Sequence, residues 1–292
     1  VRSLLAATLS LLLLTAAPTA AAEDVTHEDA RIGTDEATIW HPAHADHRLP
    51  VALLLTGANV HRSYYSAFAE ALARYGFVVV APEHFLMPGY SLPSEYEVDD
   101  VLTWARTQAA TNSDLGALID PSKLVIAGHS YGGATALYAA ADRCQMPFCF
   151  GPSYRHPPEL RAIVGHGTNT TIGPYVDSVA VQGIPVMYIN GTEDGVSEPP
   201  EAHESFTRMS GTPAAVFVNI LGANHFGLTD QDNPPGASPD LRPATAPRAQ
   251  TISTAARWTA MWFLAQLGDT EAHRYVYEVG PSADPAVRVE IP

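Results

Sequence analysis

The sequence predicts an α/β fold: a mostly parallel central sheet with helices on both faces and no large cap domain. Three observations predict it. Apolar runs of strand length alternate with amphipathic helical stretches from Ala37 to Leu267. One strand-to-helix junction carries Gly128-His129-Ser130-Tyr131-Gly132, a polar side chain between an apolar run and a pair of glycines. The interval from Val164 to Pro185 is too short for a separate cap.

The elements follow in order. Ala37–Trp40 reads as an early strand and Pro50–Thr56 as an apolar strand. Phe68, Leu72 and Tyr75 recur at helical spacing within Tyr64–Tyr75. Phe77–Ala81 is β-branched and follows a glycine, so it reads as a strand; Val98–Ala109 is the next helix. Lys123–Ala127 and Ala134–Ala141 are the strand and helix around the Ser130 turn. Then come strands at Arg161–Val164, Pro185–Asn190 and Ala215–Leu221, a helix at Ala202–Met209, and a closing helix at Ser253–Leu267. Asp230–Ala246 is rich in Pro, Gly and Asp and predicts a long surface loop. Tyr275–Pro292 predicts a terminal β-ribbon or a loose tail.

The chain of 292 residues is long enough for one large core. Arg2, the apolar run Leu4–Ala17 and the Ala20-x-Ala22 site have the order of an export signal. Residues 1–22 are therefore expected to be a signal peptide and 23–292 one catalytic domain, secreted to the periplasm or the outside. That run is short for a bilayer span, so no stable membrane anchor is expected. Loss of Arg2 takes the formal charge from −15 to −16, leaving 15 cations against 31 acids. Such an excess excludes nucleic acid and anionic membranes as expected partners. Export permits a disulfide, and Cys144 and Cys149, the only cysteines, close a short but feasible loop. Two cysteines without spaced histidines do not make a zinc site, and the His41, His44, Asp46, His47 run reads as a solvated loop; no metal or other cofactor is expected.

Gly-x-Ser-x-Gly between a strand and a helix points to an activated nucleophile on a sharp turn. A serine needs a base, and the base needs an orienting acid. In this arrangement the acid and then the base follow the serine along the chain. Asp194, just beyond the strand Pro185–Asn190, is the candidate acid, with Glu193 its neighbour. His203 falls on a surface helix and His273 in the tail; His225, on the loop after the last strong strand, is the candidate base. Two backbone donors are expected for an oxyanion hole: Tyr131 N–H, after the nucleophile, and Ala58 N–H, with Asn59 as the second choice. Asn59, Tyr64, His166 and Phe226 are candidate substrate-pocket residues.

On Gly57, the GHSYGGAT elbow, Gly191-x-x-Asp194, Asn224-His225-Phe226 and RYGFVVVAPEH, the chain resembles the α/β-hydrolase superfamily. Within it, the resemblance is to the branch of platelet-activating-factor acetylhydrolases, chlorophyllases, and dienelactone-hydrolase-like or polyester-hydrolase-like bacterial esterases. That resemblance implies a serine carboxylic-ester hydrolase with an acyl-enzyme intermediate, acting on a small-molecule or polymeric ester without a cofactor. A polyester hydrolase, an acyltransferase on the same triad and a non-catalytic binding protein are the alternative expectations. Thr56-Gly57 replaces a common His-Gly, and the loop Gly165–Asn169 lacks the Trp of many polyester hydrolases, which weighs against aromatic polyesters.

Overall fold

A computed structural model describes residues 24–145 and 153–292. The expected signal peptide and Cys149 lie outside the described residues. Cys144 is not a free thiol.

Thirteen strands are present among the described residues: β1 Val25–Ile32, β2 Asp35–Pro42, β3 Leu49–Leu55, β4 Val78–Glu83, β5 Phe85–Met87, β6 Tyr90–Ser91, β7 Ile119–His129, β8 Leu160–His166, β9 Thr171–Ile172, β10 Tyr175–Val176, β11 Val186–Gly191, β12 Ala215–Ile220 and β13 Val287–Glu290. The helices are α1 Ser66–Arg74, α2 Glu97–Ala109, α3 Asp114–Leu118, α4 Tyr131–Ala140, α5 Pro199–Arg208, α6 Arg248–Gln266, α7 Thr270–Arg274 and α8 Gly280–Ala283. Nine strands form one sheet in the order β1-β2-β4-β3-β7-β8-β11-β12-β13. The six central strands, β4 to β12, run parallel. Their carboxyl ends therefore share one rim, where open α/β sheets gather their functional loops.

Strand residues alternate between two cores, as the period of two requires. Ala52, Leu54, Val79, Val125 and Val164 meet Phe68 and Leu72 of α1 and Trp258 and Trp262 of α6. Val51, Leu53, Val78, Ile126 and Ile163 meet Val98 and Val101 of α2, Leu137 of α4 and Phe206 of α5. Both faces are covered, which explains why these strands read as continuous apolar runs.

The tail is neither a ribbon nor loose. After a π-helical turn at Tyr275–Val279 and α8, β13 pairs antiparallel with β12 and closes the sheet's edge. Features that escaped the sequence reading include β1, paired antiparallel with β2, the hairpins β5–β6 and β9–β10, and the short helices α3, α7 and α8. β1 is mostly polar and mostly exposed, so it lacks the apolar run that marked the others.

Two buried acids precede and open α2. Glu97 accepts the N–H of Ser94 at 2.5 Å, tightening the turn into the helix. Glu95 accepts the N–H of Gln145 at 2.7 Å. Burial pushes the Glu95 carboxyl from 4.5 up to about 7. The folded chain thus binds more protons than the unfolded one between those values, and stability falls as pH rises through that window. Glu95→Gln should raise the urea midpoint at pH 8 and remove that part of the decline, while leaving the midpoint at pH 4 little changed; denaturation curves across pH would check it.

Candidate active site

One residue separates β7 from α4, and it is Ser130. Its backbone lies at φ 54°, ψ −118°, a region a non-glycine residue enters at a cost of order 1–3 kcal/mol. The neighbours hold it there. A Cβ on Gly128 would come within 2.1 Å of the Gly132 carbonyl, and one on Gly132 within 2.5 Å of the Leu55 and Thr56 carbonyls. A Cβ on Gly133 would meet Thr168 at 2.7 Å. Only glycines let strand, helix and the neighbouring strand ends approach this closely. Ser130 N–H donates to the His166 carbonyl at 2.8 Å, and Thr168 Oγ1 donates to the Ser130 carbonyl at 2.8 Å. The serine is thereby raised, partly exposed, at the rim.

Beyond β11, Asp194 is fully buried. Its Oδ1 accepts the N–H groups of Val196 at 2.9 Å and Ser197 at 2.7 Å. Both carboxylate oxygens face His225 Nδ1, at 3.1 and 3.0 Å. With Nδ1–H donated to the carboxylate, the neutral imidazole keeps its lone pair on Nε2, the form a general base needs. Glu193, half-buried, takes a hydrogen bond from Thr192 Oγ1 instead and does not face the imidazole. His203 pairs with Glu290 on the surface, and His273 stacks on Tyr277. Gly167 lies against the pair: its φ is +50°, and a Cβ there would stand 3.0 Å from Asp194 Oδ2 and 3.2 Å from His225 Nδ1.

The long loop after β12 does more than cover the surface. Asp240 is buried, and its Oδ2 accepts both His225 N–H at 2.9 Å and Gly195 N–H at 3.1 Å. Its Oδ1 accepts Arg242 N–H at 2.8 Å. One carboxylate therefore ties the segment bearing Asp194 to the one bearing His225.

On the other side of the elbow, the loop after β3 presents its backbone. Gly57 N–H donates to Tyr65 Oη at 2.8 Å, and Asn59 N–H donates to the Ser91 carbonyl at 2.8 Å. Ala58 N–H, between them, donates to no other group among the described residues. Tyr131 N–H opens α4, where backbone donors project past the helix end. Asn59, at φ 56°, is committed by its own amide to the turn: its Oδ1 accepts Ser91 N–H at 3.0 Å.

Two candidate pocket residues are corrected. His166 is buried beneath the site, with Nε2 at 3.0 Å from Thr259 Oγ1 and an edge contact to Phe68. Burial holds its imidazole down at about 3, so it is neutral core. Phe226 is also buried, packed edge-on behind His225 with ring centroids 5.1 Å apart, and supports the base rather than lining a pocket. Tyr64 is half-buried, packed against the α1–α6 core, and its carbonyl accepts Asp230 N–H at 2.7 Å. No group of three or more His, Cys, Asp or Glu stands close enough for a metal ion among the described residues. Tyr65, His129, Gly167 and Asp240 were missed. Only His129 had a signal, its place inside the elbow motif.

The rim is apolar. Phe85, Met87 and Tyr90 on β5–β6, Ile172 and Tyr175 about β9–β10, Val196 after β11 and Leu241 after β12 are all exposed, Leu241 at 89%. Each sits on a loop leaving a carboxyl strand end, within a few residues of a group that holds the site.

A chlorophyllase family model matches residues 19–152, which include the Gly57 loop and the Ser130 elbow. Chlorophyllase-2 of Arabidopsis thaliana is 31% identical over 97 residues, 32% of this chain and 30% of that protein. Chlorophyllase type 0 of Chenopodium album is 34% identical over 98 residues, 31% of this chain and 28% of that protein. The chain thus spans less than a third of the length of these curated relatives. By its sheet, its elbow and these matches, the chain is an α/β-hydrolase-fold protein similar to chlorophyllases.

Proposed function

We propose that this chain is a serine hydrolase of carboxylic esters. The single observation that carries the reading is the buried Asp194–His225 pair, its imidazole 4.8 Å from the ring of His129, the residue that precedes the strained Ser130. His225 Nε2 takes the Ser130 hydroxyl proton as Oγ attacks the ester carbonyl. Asp194 holds the imidazole and offsets the charge it gains. Ala58 and Tyr131 N–H groups receive the oxyanion. His225 then protonates the departing alcohol, and an activated water cleaves the acyl-enzyme. No step calls for a cofactor.

Exposed Phe, Tyr, Ile and Leu side chains on loops that leave the carboxyl strand ends favour an ester with a large apolar acyl or alcohol group, which they could meet by apolar contact. The similarity to two proteins named chlorophyllases is compatible with that choice. The N-terminal order of Arg2, Leu4–Ala17 and Ala20-x-Ala22 supports secretion, and a Cys144–Cys149 bridge fits an oxidising compartment.

Three outcomes are expected. Hydrolysis of p-nitrophenyl butyrate and labelling by a fluorophosphonate should both vanish in Ser130→Ala, with turnover down by at least about 10³-fold; an unlabelled wild-type protein would overturn the reading. Asp240→Ala strips three N–H groups of their shared acceptor, two of them beside the site. It should lower stability by roughly 2–4 kcal/mol and turnover by about 10-fold or more, read from urea midpoints and from kcat per phosphonate-titrated site. Protein recovered from the medium should begin at Glu23 on N-terminal sequencing.

A further inference from the structure

Tyr65 and His129 are both fully buried, and neither acts in the scheme above. They form an unbroken line of hydrogen bonds. Gly57 N–H donates to Tyr65 Oη at 2.8 Å; Tyr65 Oη stands 2.8 Å from His129 Nδ1; His129 Nε2 stands 2.9 Å from the His225 carbonyl. The end of the line fixes every proton in it. A carbonyl only accepts, so His129 Nε2 carries hydrogen. In the neutral ring Nδ1 is then an acceptor, and the Tyr65 hydroxyl donates to it. That leaves the Tyr65 oxygen lone pairs for Gly57 N–H. Burial first, then the neighbouring His225, pushes the His129 imidazole well below its ordinary range, in keeping with a neutral ring.

Steric contact follows the same route. A Cβ on Gly57 would stand 2.9 Å from His129 Nδ1 and 3.3 Å from Tyr65 Oη. The His129 ring also lies 4.8 Å from the His225 ring, centroid to centroid. The oxyanion loop, the nucleophile's own neighbour and the base segment therefore meet at one imidazole.

We infer that Tyr65 and His129 are positioning residues that lock the Thr56–Gly57 peptide, next to the Ala58 donor, and the His225 backbone to the Ser130 elbow, so that oxyanion donor and base are held in register with the nucleophile. The inference rests on the ester-hydrolase reading. Its contribution lies in the tetrahedral state, where an oxyanion and an imidazolium must be met together, and little of it lies in substrate binding.

The test uses Tyr65→Phe, which removes one oxygen and almost no volume. His129→Asn, whose amide oxygen can replace Nδ1 but cannot reach the His225 carbonyl, reads the line from the other end if Tyr65→Phe is not recovered folded. Each variant is titrated with a fluorophosphonate so that rates refer to reactive Ser130 only; wild-type labelling tests the ester-hydrolase reading separately. Expected for Tyr65→Phe are a fall in kcat per titrated site of about 10–100-fold, KM for p-nitrophenyl butyrate within about threefold of wild type, and a loss of affinity for a trifluoromethyl ketone parallel to kcat. A purely structural role would lower the melting temperature and leave kcat per site and ketone affinity unmoved. That result, in a wild-type background that labels normally, would overturn the inference.

Discussion

A carboxylate taken fully out of water must be met by donors, and Asp194 is met from three directions. Val196 and Ser197 supply backbone N–H groups from its own turn, and His225 supplies Nδ1–H from a segment 31 residues on. The rest of the site depends on this requirement. It fixes the imidazole's rotation and tautomer at once. It also ties down the loop after β12, because the imidazole that meets Asp194 comes from that loop. Gly167 completes the constraint from below: its left-handed backbone and missing Cβ leave the space that the acid–base pair fills.

Geometry makes such ties necessary. The residues of the proposed site and its supports come from the carboxyl ends of β3, β7, β8, β11 and β12, which are consecutive in the sheet. Neighbouring strands lie about 4.8 Å apart, so the outermost of these ends are separated by about 19 Å. A serine attack and its proton transfer need contacts of about 3 Å. The loop after β12 must therefore turn back across β11 and β8 toward the elbow. Two carboxylates bring it there. Asp194 grips the imidazole, and Asp240 grips the backbone of the same residue while holding Gly195 with the same oxygen. The pair divides the work between side chain and main chain, so His225 is restrained at both.

The sequence made the centre legible and the supports invisible, for a physical reason. Strands buried on both faces must be apolar throughout, and Leu124–Ala127 or Val186–Ile189 can be found on that ground alone. The elbow is legible because sterics demand glycine at 128 and 132 wherever a strand turns into a helix through one residue. Asp194 and His225 could be placed because they follow strands whose ends were already known. Asp240 sits in a Pro- and Gly-rich stretch with no period, and nothing local distinguishes its carboxylate from those of Asp230 or Asp232 nearby. Its role exists only after the loop folds over the rim. His166 failed in the opposite sense. It ends a strand and precedes a glycine, as a pocket residue would, yet strand alternation turns it inward onto Thr259 and Phe68. A polar residue at a strand end points to the site or to the core according to register, and one position of shift exchanges the two.

Alternation does not separate His129 from His166, which pair across β7 and β8 in register and so share a face. Both are buried, and burial lowers the pKa of both rings. What separates them is the partner. Thr259 offers His166 a hydroxyl that can give or take a proton, so that ring's tautomer is not dictated by its bond. The His225 carbonyl leaves His129 no choice, and the choice propagates through Tyr65 to the loop after β3. A histidine held by an obligate acceptor carries directional information from one loop to another; one held by a hydroxyl only fills its place. That difference, set by the chemistry of a single neighbouring atom, gives two equally buried imidazoles unequal parts in the same site.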